Sequence, residues 1–204
     1  MSEIDAVVFD VGRVIVQWDL RALFGKLIED EGELDWFLAN VVTEEWHFQH
    51  DAGRPLAAML PERKARFPDH AWLIDAYAER FLETIPGPAE GTADIINELD
   101  DAGHPLFAIT NFGAEFWSMF RPTEPVLGRF RDIVVSGQER LAKPDPAIFR
   151  LAERRFGFPA DRMLFIDDNA ANITAADLDG WHTHLFTDPA GLRADLTDRG
   201  LLPT

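Results

Sequence analysis

Four places in the chain set chemically able side chains at or near the end of an apolar run: Asp10 after AVVF, Thr110 and Asn111 after LFAI, Lys143 within LAKPDP, and Asp167 with Asp168 after MLFI. Carboxylates drawn together raise one another's pKa unless a cation neutralises them, which calls for a bound divalent ion. An all-oxygen set of Asp10, Asp168, Asp167 and the backbone carbonyl of Gly12, completed by water, suits magnesium. Lys143 adds a positive point charge. Such a cleft fits a phosphoryl group: Asp10 attacks phosphorus to form an aspartyl-phosphate that water then hydrolyses. The Thr110 hydroxyl and nearby backbone N–H groups can hold the equatorial oxygens. Each signal also has a plainer use, as turn, helix cap or surface lysine. Their order at successive strand ends is what joins them.

The elements that must position these residues follow from the same runs. Residues 6–9, 105–109, 131–136 and 163–166 read as strands, with an edge strand over 181–186. Between them, helical patterns start at Pro88 and near Ala114, and another runs from the Asp145 cap and Pro146 to Gly157. A further one passes through Ile173 and Leu178 to Gly180. Strands joined by right-handed crossovers run parallel, so their C-terminal ends share one edge. The expected fold is α/β, a Rossmann-like parallel sheet flanked by helices. Residues 189–204 read as a short helix and a loose end from Gly200.

Residues 17–85 break this rhythm. Leucines and aromatics, Trp18, Trp36, Trp46 and Trp72 among them, recur at three- and four-residue spacing, the signature of helices. Gly32, Gly53–Pro55, Pro61 and Pro68 read as breaks. The expected organisation is an α/β core from 1–16 and 86–204 with a helical insertion over 17–85, which would act as a lid. Within it, EEWHFQH carries His47 and His50 on one helix, without the pattern that would complete a metal site. Trp46, His47 and His50 are expected to contact substrate there, and Arg13, next to Asp10, to recognise its negative charge.

Whole-chain numbers narrow the function. Thirty-six acidic against 19 basic residues give a formal charge of −17 over 204 residues. That field repels phosphate backbones and argues against nucleic acid, while a local lysine and a metal still permit a small phosphorylated metabolite. The lack of cysteine removes thiol chemistry. No long apolar segment or targeting pattern is visible, so a cytoplasmic protein without membrane contact, monomer or homodimer, is expected.

FDVGRVI, AITN, Lys143 within LAKPDPAIF, and FIDDNAANI resemble, in order, the four motifs of the haloacid dehalogenase-like hydrolase superfamily. The insertion is similar to its small helical cap. The resemblance implies a five-stranded parallel sheet with Asp10 as nucleophile and Thr110 and Asn111 on the phosphate. It places Lys143 on Asp10 and the phosphate, and Asp168 on magnesium with Asp167 beside it. Asn172 falls where many relatives have a further aspartate. Gly12 departs from the pattern: typical phosphatases of the superfamily have an aspartate there, acid to the leaving group and base to water.

Three readings follow. The chain resembles a subgroup of bacterial sugar-phosphate phosphatases, including a glucose 1-phosphate phosphatase, whose first motif also reads aspartate, apolar residue, glycine; WHFQHDAGR looks like its cap segment. A good leaving group needs less acid help, and a cap histidine or a water can supply some. In the second reading, 2-haloacid dehalogenation, Asp10 attacks carbon and halide leaves unprotonated, which suits Gly12 but gives the Asp167–Asp168 pair no task. The third is a noncatalytic phosphate-ligand-binding protein, which leaves the nucleophile without a purpose. The expected function is magnesium-dependent hydrolysis of a phosphomonoester, a sugar phosphate by resemblance.

Overall fold

The Val-rich run forms β1 (Ala6–Phe9), whose four residues are all buried. In the computed structural model, which describes residues 4–203, β1 is the middle strand of a five-stranded sheet. Its companions are β2 (Leu106–Thr110), β3 (Asp132–Val135), β4 (Met163–Asp167) and β5 (His182–Leu185), in the order β3-β2-β1-β4-β5. All neighbouring pairs are parallel. The strand order reverses between β1 and β4, the switch point beyond whose carboxyl ends open α/β sheets bind ligands.

Helices α1 (Leu20–Phe24), α2 (Glu31–Asn40), α3 (Glu44–Asp51), α4 (Leu56–Arg66) and α5 (Ala71–Glu79) lie between β1 and β2, ahead of α6 (Thr92–Asp101). Beyond β2 come α7 (Ala114–Phe120), α8 (Ser136–Glu139), α9 (Pro146–Phe156), α10 (Ala170–Leu178) and α11 (Pro189–Asp198). Side chains alternate along each strand, so the sheet feeds two cores. Val7, Phe9, Leu106, Leu164 and Ile166 join α6, α11 and the helices of residues 17–85 in one cluster. Ala6, Val8, Phe107, Ile109 and Phe165 pack on α9 and α10 in the other. The helical segment therefore shares a continuous apolar core with one face of the sheet.

The chain enters and leaves that segment side by side. Gln17 N–H donates to the Gly87 carbonyl at 2.8 Å, Asp19 N–H to Thr84 at 2.8 Å, and Ala89 N–H to Ile15 at 2.8 Å. Pro88 is held in this crossing, bridged antiparallel to Val16, so the helix read as beginning there begins at Thr92. Gly87 and Gly91, at φ of +156° and +92°, supply the turn between. Gly32 lies in the first turn of α2 and Pro61 inside α4, so neither breaks a helix. The tail also differs from its reading: Leu201 and Leu202 are buried at 2% and 5% exposure and close the core beside α11. Thr204 lies outside the described residues. The Asp145 cap is as expected, its side chain accepting from Ala147 N–H, and Gly157 ends α9 in the left-handed region.

Candidate active site

Asp10 follows β1 directly, and its N–H donates to the Ile166 carbonyl at 2.8 Å. Phe9 pairs with Ile166, which brings Asp10 level with Asp167 at the end of β4. Between the two carboxylates sits the Lys143 ammonium, whose side chain has no exposed surface. It lies 2.8 Å from Asp10 Oδ1 and donates to Asp167 Oδ2 at 2.6 Å and the Ile109 carbonyl at 2.9 Å. An ammonium has three donors, and all three are used. Asn111, predicted on the phosphate, spends both side-chain groups on the Lys143 backbone, donating to its carbonyl and accepting from its N–H, each at 2.9 Å. It thereby fixes where Lys143 enters the site.

Asp167 is similarly committed. Its oxygens accept from Lys143, from Asn169 N–H at 2.7 Å and from Asn172 Nδ2 at 3.1 and 3.0 Å. Asn172 thus orients Asp167 from the first turn of α10, which is itself capped by Asn169. Asp10, Asp167 and Asp168 each offer an oxygen, all within 4.8 Å of one another. Asp10 and Asp168, with Gly12, also line a cavity of about 220 Å³; Asp167 lies behind them.

The electrostatics follow from three carboxylates facing one ammonium. Burial pushes the Asp10 carboxyl up to about 7; Lys143 pulls against that, while Asp167 and Asp168 add to it. Burial, then Asp167, raises Asp168 as well, with Arg13 and Lys143 opposing. Burial opposes the Lys143 charge, yet Asp10 and Asp167 together hold its pKa above the ordinary lysine value. A hard divalent cation fits this group: the donors are all oxygen, close together and short of positive charge. Thr110, at the end of β2, is buried behind the cavity lining, and its Oγ1 has no partner.

The other predicted residues divide. Arg13 and His47 line the cavity. Arg13, at φ +61°, stacks over Trp18 at 5.0 Å and pairs with Glu44 of α3 at 2.6 Å. Trp46 and His50 are both buried, and neither lines the cavity. Trp46 packs on Tyr77 at 5.0 Å with Arg63 over its ring. His50 Nδ1 lies 2.8 Å from the Arg54 carbonyl, and the ring lies across Gly113 and the edge of Phe116. Two charged cavity residues, Glu44 and Asp51, are not among the site residues expected from the sequence. Asp51, the last residue of α3, lines the cavity and is 6% exposed.

Gly12 explains itself by what is absent around it. A Cβ there would meet no heavy atom within 4 Å, and its φ lies outside the positive range. Neither packing nor backbone geometry demands glycine.

Comparison with known proteins agrees with this architecture. The drimenol cyclase drtB of Aspergillus calidoustus is 24% identical over 95% of this chain and 36% of that protein. The (S)-2-haloacid dehalogenase of Pseudomonas putida is 31% identical over 107 residues, 52% of this chain and 44% of that enzyme. The chain thus spans less than half the length of these relatives. A HAD family enzyme of Bacteroides thetaiotaomicron, solved with magnesium and inorganic phosphate, shares the fold at a TM-score of 0.70 and 19% identity, over 91% of this chain and 95% of that one. Residues 4–177, which contain Asp10, Thr110, Lys143, Asp167 and Asp168, match the haloacid dehalogenase-like hydrolases, and the chain belongs to that family.

Proposed function

We propose that this hydrolase is a magnesium-dependent phosphatase that cleaves a small phosphorylated metabolite, a sugar phosphate or related polyol phosphate, through an aspartyl-phosphate on Asp10. The observation that carries the reading is the imbalance of buried charge, three carboxylates within 4.8 Å against a single ammonium. Asp10, Asp168 and the Gly12 carbonyl would hold magnesium, which when bound supplies the missing positive charge and offsets the negative charge of the phosphate.

Lys143 holds Asp10 by one oxygen, so the carboxylate is presented in a fixed orientation at the sheet edge. Asp10 attacks phosphorus as the bond to the leaving oxygen breaks, that oxygen taking a proton from water; a second water then attacks phosphorus, gives up a proton to solvent and frees the carboxylate. Thr110 Oγ1, a buried donor without a partner, serves a phosphate oxygen. Asn111 and Asn172 act one step removed, setting Lys143 and Asp167. Arg13 stands at the rim as a further cation for the phosphate. Residues 17–85 serve as the cap over the 1–16 and 86–204 core, walling the cavity on the leaving-group side.

The test is phosphate release from an aryl phosphate and a panel of sugar phosphates, with magnesium and with chelator, against Asp10→Asn. Release that needs magnesium and is lost in Asp10→Asn supports the phosphatase; no release from any phosphate contradicts it. The dehalogenase reading draws on Gly12 and on the dehalogenase similar to this chain. Halide release from short 2-haloacids, with chelator present, would favour it.

A further inference from the structure

The part of the cavity wall that α3 contributes contains a chain of close polar contacts that neither the nucleophile nor the metal uses. Tyr77 Oη lies 2.7 Å from His47 Nδ1, and His47 Nε2 lies 3.2 Å from Asp51 Oδ2. The imidazole is stacked against Trp18 at 4.7 Å and near-parallel to Phe81 at 5.8 Å. Both its nitrogens are engaged and its faces are covered, so His47 is a support. What it supports is Asp51.

Asp51 is an odd residue to find there on structural grounds alone. It closes α3, where the partial negative charge of the helix end opposes a carboxylate. It is buried, and its second oxygen, Oδ1, has no hydrogen-bond partner. Its place is nonetheless firmly set: Ser136 Oγ donates to the Asp51 carbonyl at 2.5 Å and accepts from Phe112 N–H at 2.9 Å. Phe112 follows Asn111, which grips Lys143, so Asp51 is tied to the same strand end that organises the nucleophile. Trp18 lines the same cavity and also has a buried polar atom, Nε1, without a partner. One carboxylate acceptor and one indole donor are the complement of hydroxyl groups, which both give and take hydrogen bonds.

We propose that Asp51 Oδ1 accepts a hydrogen bond from a hydroxyl on the substrate's leaving group, with Trp18 Nε1 as the matching donor, so that the site selects polyol phosphates over alkyl phosphates. The inference rests on the phosphatase reading and names the residue that chooses the substrate. His47 and Tyr77 are positioning residues.

The test compares glycerol phosphate with propyl phosphate, which has the same carbon chain and no further hydroxyl, in the wild type, Asp51→Asn and Asp51→Ala. Asp51→Asn keeps the shape of the side chain and removes its charge, whereas Asp51→Ala deletes the acceptor altogether. The wild type favours glycerol phosphate. Losing a hydrogen bond to a charged group lowers kcat/KM for glycerol phosphate about ten- to hundred-fold, chiefly through KM, and leaves propyl phosphate within about threefold. An equal loss on both substrates overturns the proposal and assigns Asp51 to proton transfer or to structure; no loss on either overturns it as well. A binding arm separates this from failure of the phosphatase reading. Tryptophan fluorescence titrations of both esters are run on Asp10→Asn alone and on Asp10→Asn combined with Asp51→Ala. A preference for glycerol phosphate that the second substitution removes upholds the proposal even if the wild type hydrolyses neither ester; equal binding of both esters refutes it.

Discussion

Replacing Lys143 by methionine removes the single cation at the centre of the site while nearly filling the space of its stem. In the native protein the ammonium neutralises Asp10 at 2.8 Å and Asp167 at 2.6 Å and satisfies the Ile109 carbonyl. Without it, two carboxylates face each other in the interior and a carbonyl loses its donor. Breaking a buried ion pair costs about 3–5 kcal/mol. At about 2–4 °C per kcal/mol for a chain of this length, the melting point of Lys143→Met falls by on the order of 10 °C or more. The loss depends on pH, with a definite sign. Asp10 already titrates near 7 in the fold against 3.8 in the unfolded chain, and removing Lys143 raises it further. The folded variant then holds a proton that the unfolded chain has released, so its stability falls as pH rises from about 4 through the raised folded value. Urea unfolding with chelator present, at about pH 8 and about pH 5, reads this directly. A deficit that is large at the higher pH and shrinks at the lower is expected. A deficit below about 1 kcal/mol, equal at both, would refute the buried-cation account.

Three further outcomes follow from particular contacts. A Cβ at Gly12 would meet no heavy atom within 4 Å, and an aspartate there would restore the acid that typical phosphatases of the superfamily have at this position, so kcat of Gly12→Asp on alkyl phosphates rises by about tenfold or more; an unchanged kcat would mean that proton transfer is not what the site lacks. Gly113→Ala puts a Cβ 2.0 Å from the buried His50 ring, so urea unfolding shows a loss of about 1–3 kcal/mol, part of which His50→Ala restores. Because protonation of Asp10 near 7 competes with a cation, the magnesium dissociation constant measured by calorimetry weakens as pH falls below that value, by up to about tenfold per unit; constant affinity down to about pH 5 would contradict it.

The strands and the order of polar residues at their ends were legible because each rests on local pattern. AVVF, LFAI and MLFI are buried runs closed by polar residues, and Asp145–Pro146 and Gly157 are the ordinary ends of a helix. What escaped depends on contacts distant in sequence. His47 and His50 stand three apart on α3, yet one meets the cavity and the other is pressed on Gly113 of a distant loop. An aspartate ending a helix near a glycine looks like a surface residue until Ser136, 85 positions later, fixes its backbone. Asn111 reads as a phosphate ligand by its place after β2, and only the approach of Lys143, 32 residues on, reveals that its side chain is already engaged. Leu201 and Leu202 follow a glycine at the chain's end, a pattern that says nothing of the core they complete.

The aspartyl-phosphate is the centre of the account, and it can be sought directly. The magnesium-loaded enzyme is mixed with a phosphomonoester that it turns over, quenched in acid within the first turnover, digested and mapped by mass spectrometry. A phosphorylated peptide with the phosphoryl group on Asp10, absent from Asp10→Asn, is the predicted result. Phosphate release without any modified Asp10 peptide at the earliest times, or with Asp10→Asn fully active, would contradict it.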